Sequence, residues 1–292
     1  MCRLATVVRV RIETEMNEAP RPEFPKEITR YYEEVAEEGR LATGPSQLEF
    51  ARTQEVILRH LPPPPATILD VGGAAGAYAL WLADRGYQVH LIDPVPRLVE
   101  EAQRQSDASP NRICTCQVGD ARDLRFNDGV ATGVLLLGPL YHLTETAERL
   151  RALREVYRVL RPGGVMFAAA ISRYASALDG VARDLFADPS FAAIVQQDLN
   201  QGQHRNATDN WDYFTTAYFH RPDELRAEVT SAGFHCRVVL GLEGPGWILP
   251  DFDHRWADAR KRDDLLRVAR ALESEVSIVG LSAHLLAVAT KE

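Results

Sequence analysis

Short apolar runs alternate with helix-like stretches along most of the chain. Several runs are apolar at nearly every position, as strands become when helices cover both faces of a parallel sheet. These runs predict strands over residues 67–72, 88–92, 112–118, 132–137, 164–170, 235–241 and 284–290. Apolar residues three and four positions apart predict the intervening helices, over residues 76–85, 96–106, 145–160 and 222–232. The alternation is typical of the α/β class and predicts a doubly wound, mostly parallel sheet of seven strands.

The segments before the first strand have their own patterns. Residues 1–25 end in a proline- and charge-rich stretch, which predicts a flexible arm. Two amphipathic helices are predicted next, over residues 27–38 and 46–60, and consecutive prolines separate them from the first strand. We therefore expect residues 26–292 to form a single domain, in which residues 26–62 form a helical cap.

A long insertion interrupts the alternation after the fifth predicted strand. Residues 171–221 stand where a short loop would suffice, and long insertions in compact folds are usually lids or binding loops. Its aromatic and polar residues are His204, Asp209, Trp211, Tyr213, Phe214, Tyr218, Phe219 and His220. Such a mixture suits an amphipathic small-molecule pocket, and it suits equally a lid packed on its own hydrophobic cluster. We expect a lid over a substrate.

Composition and charge narrow the function. The 292-residue chain has a net charge of −8, which argues against a nucleic-acid-binding protein because such proteins usually carry a basic stripe. No apolar run reaches the length of a membrane span, and residues 1–16 lack the uninterrupted apolar core of a signal peptide. The 4 cysteines lack the C-x-x-C spacing of common metal sites. We expect a cytoplasmic protein with a small-molecule partner, no nucleic acid, no membrane and no metal; a homodimer is a further possibility.

The first predicted strand ends in an acid and a turn of small residues. The sequence there is Asp70-Val71-Gly72-Gly73-Ala74-Ala75-Gly76. Both reading frames of the dinucleotide fingerprint fail, and no Gly-Lys-Ser/Thr follows to make a phosphate-binding P-loop. A positive φ at Ala74 would cost an alanine on the order of 1 kcal/mol, so we expect a negative φ there. The small residues still predict a close approach of the backbone to a ligand at the start of a helix.

This turn resembles motif I of class I S-adenosylmethionine-dependent methyltransferases, acid-x-Gly-x-Gly-x-Gly, with Ala74 in the place of the middle glycine. The resemblance covers residues 66–170 well and residues 220–290 in topology. It implies that the cofactor S-adenosyl-L-methionine binds against Asp70, Gly72, Gly73, Ala74 and Gly76. In this family the acid of motif I usually acts near the amino end of the methionine moiety.

Two further acids follow predicted strands. Asp93, with Pro94 after it, ends the second strand about 20 residues beyond the glycine turn, where an acid can accept the ribose hydroxyls of a nucleoside. An alternative role for Asp93 is to cap the helix that follows. By resemblance to the same family, Asp120 would hold the adenine amino group, and the backbone N–H of Ala121 would meet a ring nitrogen. A plain polar turn is the alternative there.

The fourth predicted strand runs into Leu137-Gly138-Pro139-Leu140-Tyr141-His142. This segment resembles the one that follows the fourth strand in bacterial small-molecule methyltransferases. It lacks the Asn/Asp/Ser-Pro-Pro-aromatic motif of enzymes that methylate nucleic-acid amino groups, which argues against a base as substrate. The resemblance places Leu137 and Gly138 against the cofactor, and Tyr141 and His142 near the methyl group. His142 would act as a general base or merely shape the pocket.

Three residues of the helical cap are further candidates. Arg52 could meet the methionine carboxylate or be a solvated surface arginine, and Tyr31 and Tyr32 could close over the cofactor or pack in the core. Together the motifs predict an S-adenosylmethionine-dependent methyltransferase that acts on a small molecule by in-line displacement. The alternatives are a noncatalytic regulatory protein that binds S-adenosylmethionine or a nucleoside, and a protein methyltransferase.

Overall fold

The computed structural model describes residues 26–34, 39–208 and 210–292. The predicted arm over residues 1–25, the end of the first predicted helix and Asp209 lie outside these ranges. The division of the chain into arm, cap and lid stays a prediction.

The described residues form one central sheet with a short extension. Its strands are β1 (Thr67–Val71), β2 (Gln88–Asp93), β3 (Thr115–Val118), β4 (Ala131–Leu136), β5 (Leu160–Ser172), β6 (Gln203–His204), β7 (Ala217–His220), β8 (His235–Gly241) and β9 (His284–Thr290). The order across the main sheet is β3-β2-β1-β4-β5-β9-β8, with β9 antiparallel to both neighbours and the other pairs parallel. The predicted doubly wound, mostly parallel sheet is confirmed, and the insertion adds β6 and β7 to the predicted strands.

Helices precede the sheet and connect its strands. They are α1 (Lys26–Glu34), α2 (Ser46–His60), α3 (Ala77–Ala83), α4 (Pro96–Ala108), α5 (Pro139–His142), α6 (Thr146–Val159), α7 (Ala175–Ala182), α8 (Pro189–Gln201), α9 (Pro222–Ser231), α10 (Phe252–Ala257) and α11 (Ala259–Leu272). Prolines begin α4 and α9, at a position where the missing backbone N–H has no helical partner to lose. The helices α2, α3, α4, α6 and α9 lie close to their predicted bounds.

The core lies on both faces of the sheet. Leu69 of β1 packs on one face with residues of α6 and α9, and its neighbour Ile68 packs on the other with residues of α2, α3 and α4. Strand β4 is buried at every position, which explains why its sequence is an uninterrupted small and apolar run. Each large buried apolar side chain contributes about 1.5–3 kcal/mol, so this core holds the loops at the carboxyl edge of the sheet in fixed positions.

The insertion is joined to the end of β5. Strand β7 pairs in parallel with the last residues of β5, and β6 pairs antiparallel with β7. Arg173 is buried; its Nε donates to the carbonyl of Phe219 at 2.7 Å, and its terminal nitrogen pairs with Glu224 at 2.6 Å. The sequence predicts no strands here, because strands of two and four residues have too few positions to show a period.

Candidate active site

A cavity of about 530 Å³ opens at the carboxyl ends of β1, β2 and β4. The chain order reverses between β1 and β4, and open α/β sheets bind ligands at such a switch point. The predicted site residues that line the cavity are Asp70, Gly72, Gly73, Ala74, Asp93, Pro94, Asp120, Ala121, Leu137, Gly138, Tyr141 and His142. Gly76 does not line it: a Cβ at this glycine would lie 3.3 Å from the Cβ of Ala102, so Gly76 lets α3 pack against α4.

The turn between β1 and α3 bends sharply beside the cavity. Gly72 has φ 74° and Ala74 has φ 45°, both in the left-handed region. The predicted negative φ at Ala74 is therefore wrong. The backbone N–H of Ala74 donates to Oδ2 of Asp93 at 2.9 Å, and this hydrogen bond to a carboxylate offsets the cost of a left-handed alanine, on the order of 1 kcal/mol. The turn and Asp93 thus form one wall.

Asp93 is buried at the end of β2. Its Oδ1 accepts the backbone N–H of Val95 at 2.9 Å, so each carboxylate oxygen holds one backbone N–H. Burial raises the pKa of Asp93 to about 6, although these hydrogen bonds lower it. Each oxygen keeps lone-pair capacity for a further donor such as a ligand hydroxyl. The contact with Val95 also fixes the start of α4, so the two roles predicted for Asp93 are compatible.

Asp70 is a deeply buried carboxyl group in the same wall. It is 1% exposed, and neither oxygen has a hydrogen-bond partner among the residues that the structure describes. Burial, followed by the negative charge of Asp93, raises the pKa of Asp70 to about 7; the nearby backbone N–H of Ala79 lowers it without reaching hydrogen-bond geometry. A cationic donor stabilises such a carboxylate, because it replaces the hydration that burial removes. A ligand ammonium group therefore suits Asp70.

Asp120 follows β3 and is held in place by Arg122. The backbone N–H and Nε of Arg122 donate to Oδ1 at 2.8 and 2.9 Å, and a terminal nitrogen donates to Oδ2 at 2.6 Å. The guanidinium also pairs with Glu148 at 2.5 Å. The Asp120 carboxylate is thus fixed in direction beside Ala121, which lines the cavity. A carboxylate oxygen with remaining lone-pair capacity can still accept a hydrogen bond from a ligand amino group.

Tyr141 and His142 belong to α5, directly after Gly138. His142 is 5% exposed, and its Nε2 lies 2.7 Å from the hydroxyl of Tyr32 in α1. Burial lowers the pKa of His142 to about 4, so the ring is neutral at neutral pH. A general base works best with a pKa near the working pH. Of the two roles predicted for His142, this environment favours shaping the pocket.

The cap and the insertion meet through aromatic rings. Tyr31 of α1 contacts Trp211 and Phe214 edge-to-face, with ring centroids 5.6 and 5.4 Å apart. Tyr31 is buried in this contact, whereas Tyr32 lines the cavity. The two adjacent tyrosines therefore divide the two roles predicted for them, since Tyr31 packs and Tyr32 faces the site.

The polar residues of the insertion form hydrogen bonds and ion pairs with other residues of the protein. The ring nitrogens of His204 lie 2.9 Å from Asp198 and 2.7 Å from the carbonyl of Tyr213, and the buried His220 pairs with Glu228 at 3.2 Å. None of the described residues between 171 and 221 lines the cavity. The expected contact of the insertion with a substrate is therefore not seen, and packing on its own clusters explains the aromatic content.

Arg52 occupies a place that neither prediction for it describes. It is fully buried and forms ion pairs with Glu55 and Glu273. It does not line the cavity, so the predicted contact with the methionine carboxylate is wrong. A helix pattern shows that residue 52 is near the sheet, but not that distant acids neutralise a buried guanidinium there.

The cavity wall has a second polar group that was not predicted from the sequence, and we call it the Glu49 cluster: Arg40, Glu49, Glu243 and His284. Arg40, Glu49 and His284 line the cavity, and Glu243 holds the His284 ring at 2.6 Å. These residues come from three segments far apart in sequence and share no motif. The one local signal is a charged residue at position 49, beside apolar Leu48 and Phe50 in α2.

A metal ion is one candidate ligand for the Glu49 cluster. Ligand atoms of Glu49, Glu243 and His284 lie within 4.8 Å of one another, a spacing that could hold a metal ion. Arg40, however, donates to both oxygens of Glu49, at 2.7 and 3.2 Å. Its guanidinium would repel a divalent cation at that place, so the arrangement favours an ion-pair cluster. The expectation of no metal stays a prediction.

Known proteins similar to this chain include several methyltransferases. A family model described as "Methyltransferase domain" matches residues 69–168. A ubiquinone biosynthesis O-methyltransferase from Methylocella silvestris is 30% identical over 208 residues, which cover 67% of this chain and 71% of the relative. A ubiquinone/menaquinone biosynthesis C-methyltransferase from a Ruegeria species is 28% identical, over 64% of this chain and 75% of the relative.

Solved structures show the same fold. An S-adenosylmethionine-dependent methyltransferase from Mesorhizobium loti superposes with a TM-score of 0.55 at 17% identity, covering 83% of this chain and 99% of the other. Among the described residues, none of the helices combines the length and the apolar content needed to cross a bilayer. The predicted cellular location and the homodimer stay predictions.

Proposed function

Because the chain belongs to the class I S-adenosylmethionine-dependent methyltransferases, we propose that its cavity binds the cofactor along β1, β2 and β3 and presents the methyl group to a small-molecule acceptor. The protein is a methyltransferase enzyme, and S-adenosyl-L-methionine is its cofactor. One observation supports the placement most: three carboxyl groups from the ends of three strands, Asp70, Asp93 and Asp120, line one cavity at the switch point of the sheet.

The residues present fit the cofactor group by group. Asp93 offers lone pairs to the ribose hydroxyls, and Asp120 with the backbone N–H of Ala121 offers an acceptor and a donor to the adenine edge. The buried carboxyl of Asp70, without a partner among the described residues, suits the ammonium of the methionine moiety. When bound, S-adenosylmethionine supplies a methyl group that is already activated by its sulfonium. The protein itself therefore has to position the acceptor and exclude water.

We assign the positioning to the wall formed by α1 and α5. The contact between Tyr32 and His142 joins the two helices beside the cavity, and Tyr141 continues the wall. The insertion then acts on the site indirectly: Trp211 packs against Tyr31 and supports α1, and the insertion does not touch the acceptor. In this proposal α1 closes the site, and the insertion holds α1 in place.

A small acceptor is supported by the size of the cavity and by the relatives. About 530 Å³ lies within the range of roughly 300–1,000 Å³ that is usual for small-molecule sites. Apolar side chains such as Phe50, Leu242 and Trp256 also line the cavity. The two relatives are named for ubiquinone or menaquinone biosynthesis, and we propose an aromatic ring compound as the acceptor class on that similarity.

Calorimetry with S-adenosylmethionine and S-adenosylhomocysteine tests the proposal. We expect both to bind, and we expect Asp93→Ala to weaken binding by about 1–3 kcal/mol, because charge-assisted hydrogen bonds to the ribose are lost. Asp107→Ala, at an exposed acid near the end of α4, is the matched control and should leave the affinity unchanged. Folded protein that binds neither compound would refute the proposal, and an unchanged affinity in Asp93→Ala would remove the ribose assignment.

A further inference from the structure

The Glu49 cluster is a second polar group in the cavity wall, in addition to the three acids assigned to the cofactor. Arg40 lies in the turn before α2, Glu49 lies in α2, Glu243 follows β8 and His284 begins β9. Strand β9 pairs with β8, and the backbone N–H of Leu242 donates to the carbonyl of His284 at 3.1 Å. The framework of the sheet thus fixes the position of the imidazole.

Glu243 orients the His284 ring from behind. The Nδ1 atom lies 2.6 Å from Oε1 of Glu243, and the backbone N–H of His284 donates to Oε2 of the same carboxylate at 3.1 Å. Glu243 is 2% exposed, so water does not compete for these contacts. A carboxylate on Nδ1 places the proton of the neutral ring there and leaves Nε2 as an acceptor. No described residue hydrogen-bonds to Nε2, while the His284 side chain lines the cavity.

The charges around His284 make it a stronger base than the other histidine of the cavity. Burial and the positive charge of Arg40 lower the pKa of His284, but the carboxylates of Glu49 and Glu243 raise it above its usual value overall. The Glu49 oxygen lies 3.7 Å from Nδ1 and is itself bound by Arg40. His142 has the opposite balance, since burial is the largest influence on this ring and lowers its pKa to about 4.

We propose that His284, oriented by Glu243, is the general base for an acceptor that carries an acidic hydroxyl group, such as a phenol or an enol. The inference rests on the proposed function. The acceptor oxygen forms a bond to the methyl carbon as its proton passes to Nε2 of His284. The electron pair of the broken carbon–sulfur bond stays on sulfur. The products are a methyl ether, the thioether S-adenosylhomocysteine and a protonated His284, which returns its proton to water.

A pair of matched phenols tests this assignment. Catechol must lose its proton as it reacts, whereas 4-nitrocatechol is acidic enough to be ionised without a base. We expect His284→Gln to lower the kcat for catechol by roughly 100- to 10,000-fold at neutral pH, the usual contribution of a general base. The loss should be much smaller for 4-nitrocatechol, and it should shrink for catechol as the pH rises. A structural role would not produce that dependence on acceptor acidity.

Controls separate this inference from the proposed function. Calorimetry should give the same S-adenosylmethionine affinity, within about threefold, for the wild-type protein and for His284→Gln, which also verifies folding. His235→Gln, at an exposed histidine of β8, should leave the rates unchanged. Glu243→Gln should lower the kcat less than His284→Gln does and should shift the NMR titration of the His284 ring to lower pH.

The outcomes that overturn the assignment are distinct. Wild-type protein that binds no S-adenosylmethionine refutes the proposed function itself. Cofactor binding with equal losses for both phenols refutes the general base. If neither phenol is methylated, and neither shifts the His284 resonance when it is added, a hydroxyl acceptor is refuted. If treatment with a chelator abolishes the activity and Mg²⁺ or Mn²⁺ restores it, the general base is refuted as well, because the Glu49 cluster would then bind a metal ion.

Discussion

Ala74 stands in a backbone conformation that suits glycine, so Ala74→Gly should stabilise the protein. Its φ is 45°, and an L-residue in the left-handed region costs roughly 1–2 kcal/mol. Glycine removes that cost, but it also makes the unfolded chain more flexible, which lowers the free energy of unfolding by about 0.5–1 kcal/mol. The net gain should be roughly 0.5–1 kcal/mol in the free energy of unfolding, or about 2 °C in Tm for a chain of this size.

Ala75→Gly is the matched control, because Ala75 is the neighbouring alanine and does not have a positive φ. It should lose about 0.5–1 kcal/mol, since glycine there adds only freedom to the unfolded chain. Urea unfolding of the two variants beside the wild-type protein measures both effects. Opposite signs support the left-handed turn, whereas equal destabilisation by both substitutions would contradict it.

Two further predictions concern buried charges. The pKa of Asp70 is raised to about 7 from 3.8, so the stability it contributes is present at low pH and is lost as the pH rises toward 7. Between pH 5 and pH 8, the free energy of unfolding of Asp70→Asn should therefore rise by about 2–3 kcal/mol relative to that of the wild-type protein, as measured by urea unfolding. A difference between the two proteins that does not change with pH would contradict the raised pKa. Arg173→Met should destabilise by about 3 kcal/mol, because it removes the buried donor to the Phe219 carbonyl and the ion pair with Glu224, while Arg183→Met, at an exposed ion pair, should cost under about 1 kcal/mol. Similar losses from both arginines would refute the anchoring role of Arg173.

The strands of the main sheet and the acids at their ends follow local sequence patterns, so they could be predicted from the sequence. The apolar runs gave the strands of the main sheet, and the acids at strand ends gave Asp70, Asp93 and Asp120, because parallel strands carry their carboxyl ends to one edge. The strands of the insertion are too short to show a period. The conformation of Ala74 depends on its contact with Asp93, which lies on another strand.

The Glu49 cluster shows what local patterns leave out. His284 and Glu243 are separated by about forty residues, and the antiparallel pairing of β8 with β9 brings them together. Neither role predicted for Arg52, a contact with the methionine carboxylate or a place on the surface, included its ion pair with Glu273, which lies still further along the chain. In each case, the role of a charged side chain is decided by a partner that only the tertiary structure supplies.

A crystal structure of the protein with S-adenosylhomocysteine tests the central claim most directly. The account predicts the ribose hydroxyls within hydrogen-bond distance of the Asp93 carboxylate and the adenine amino group at Asp120. It also predicts the sulfur on the side of the cavity lined by Gly138 and Tyr141. A nucleoside bound elsewhere, or bound here without contact to Asp93 and Asp120, would contradict it.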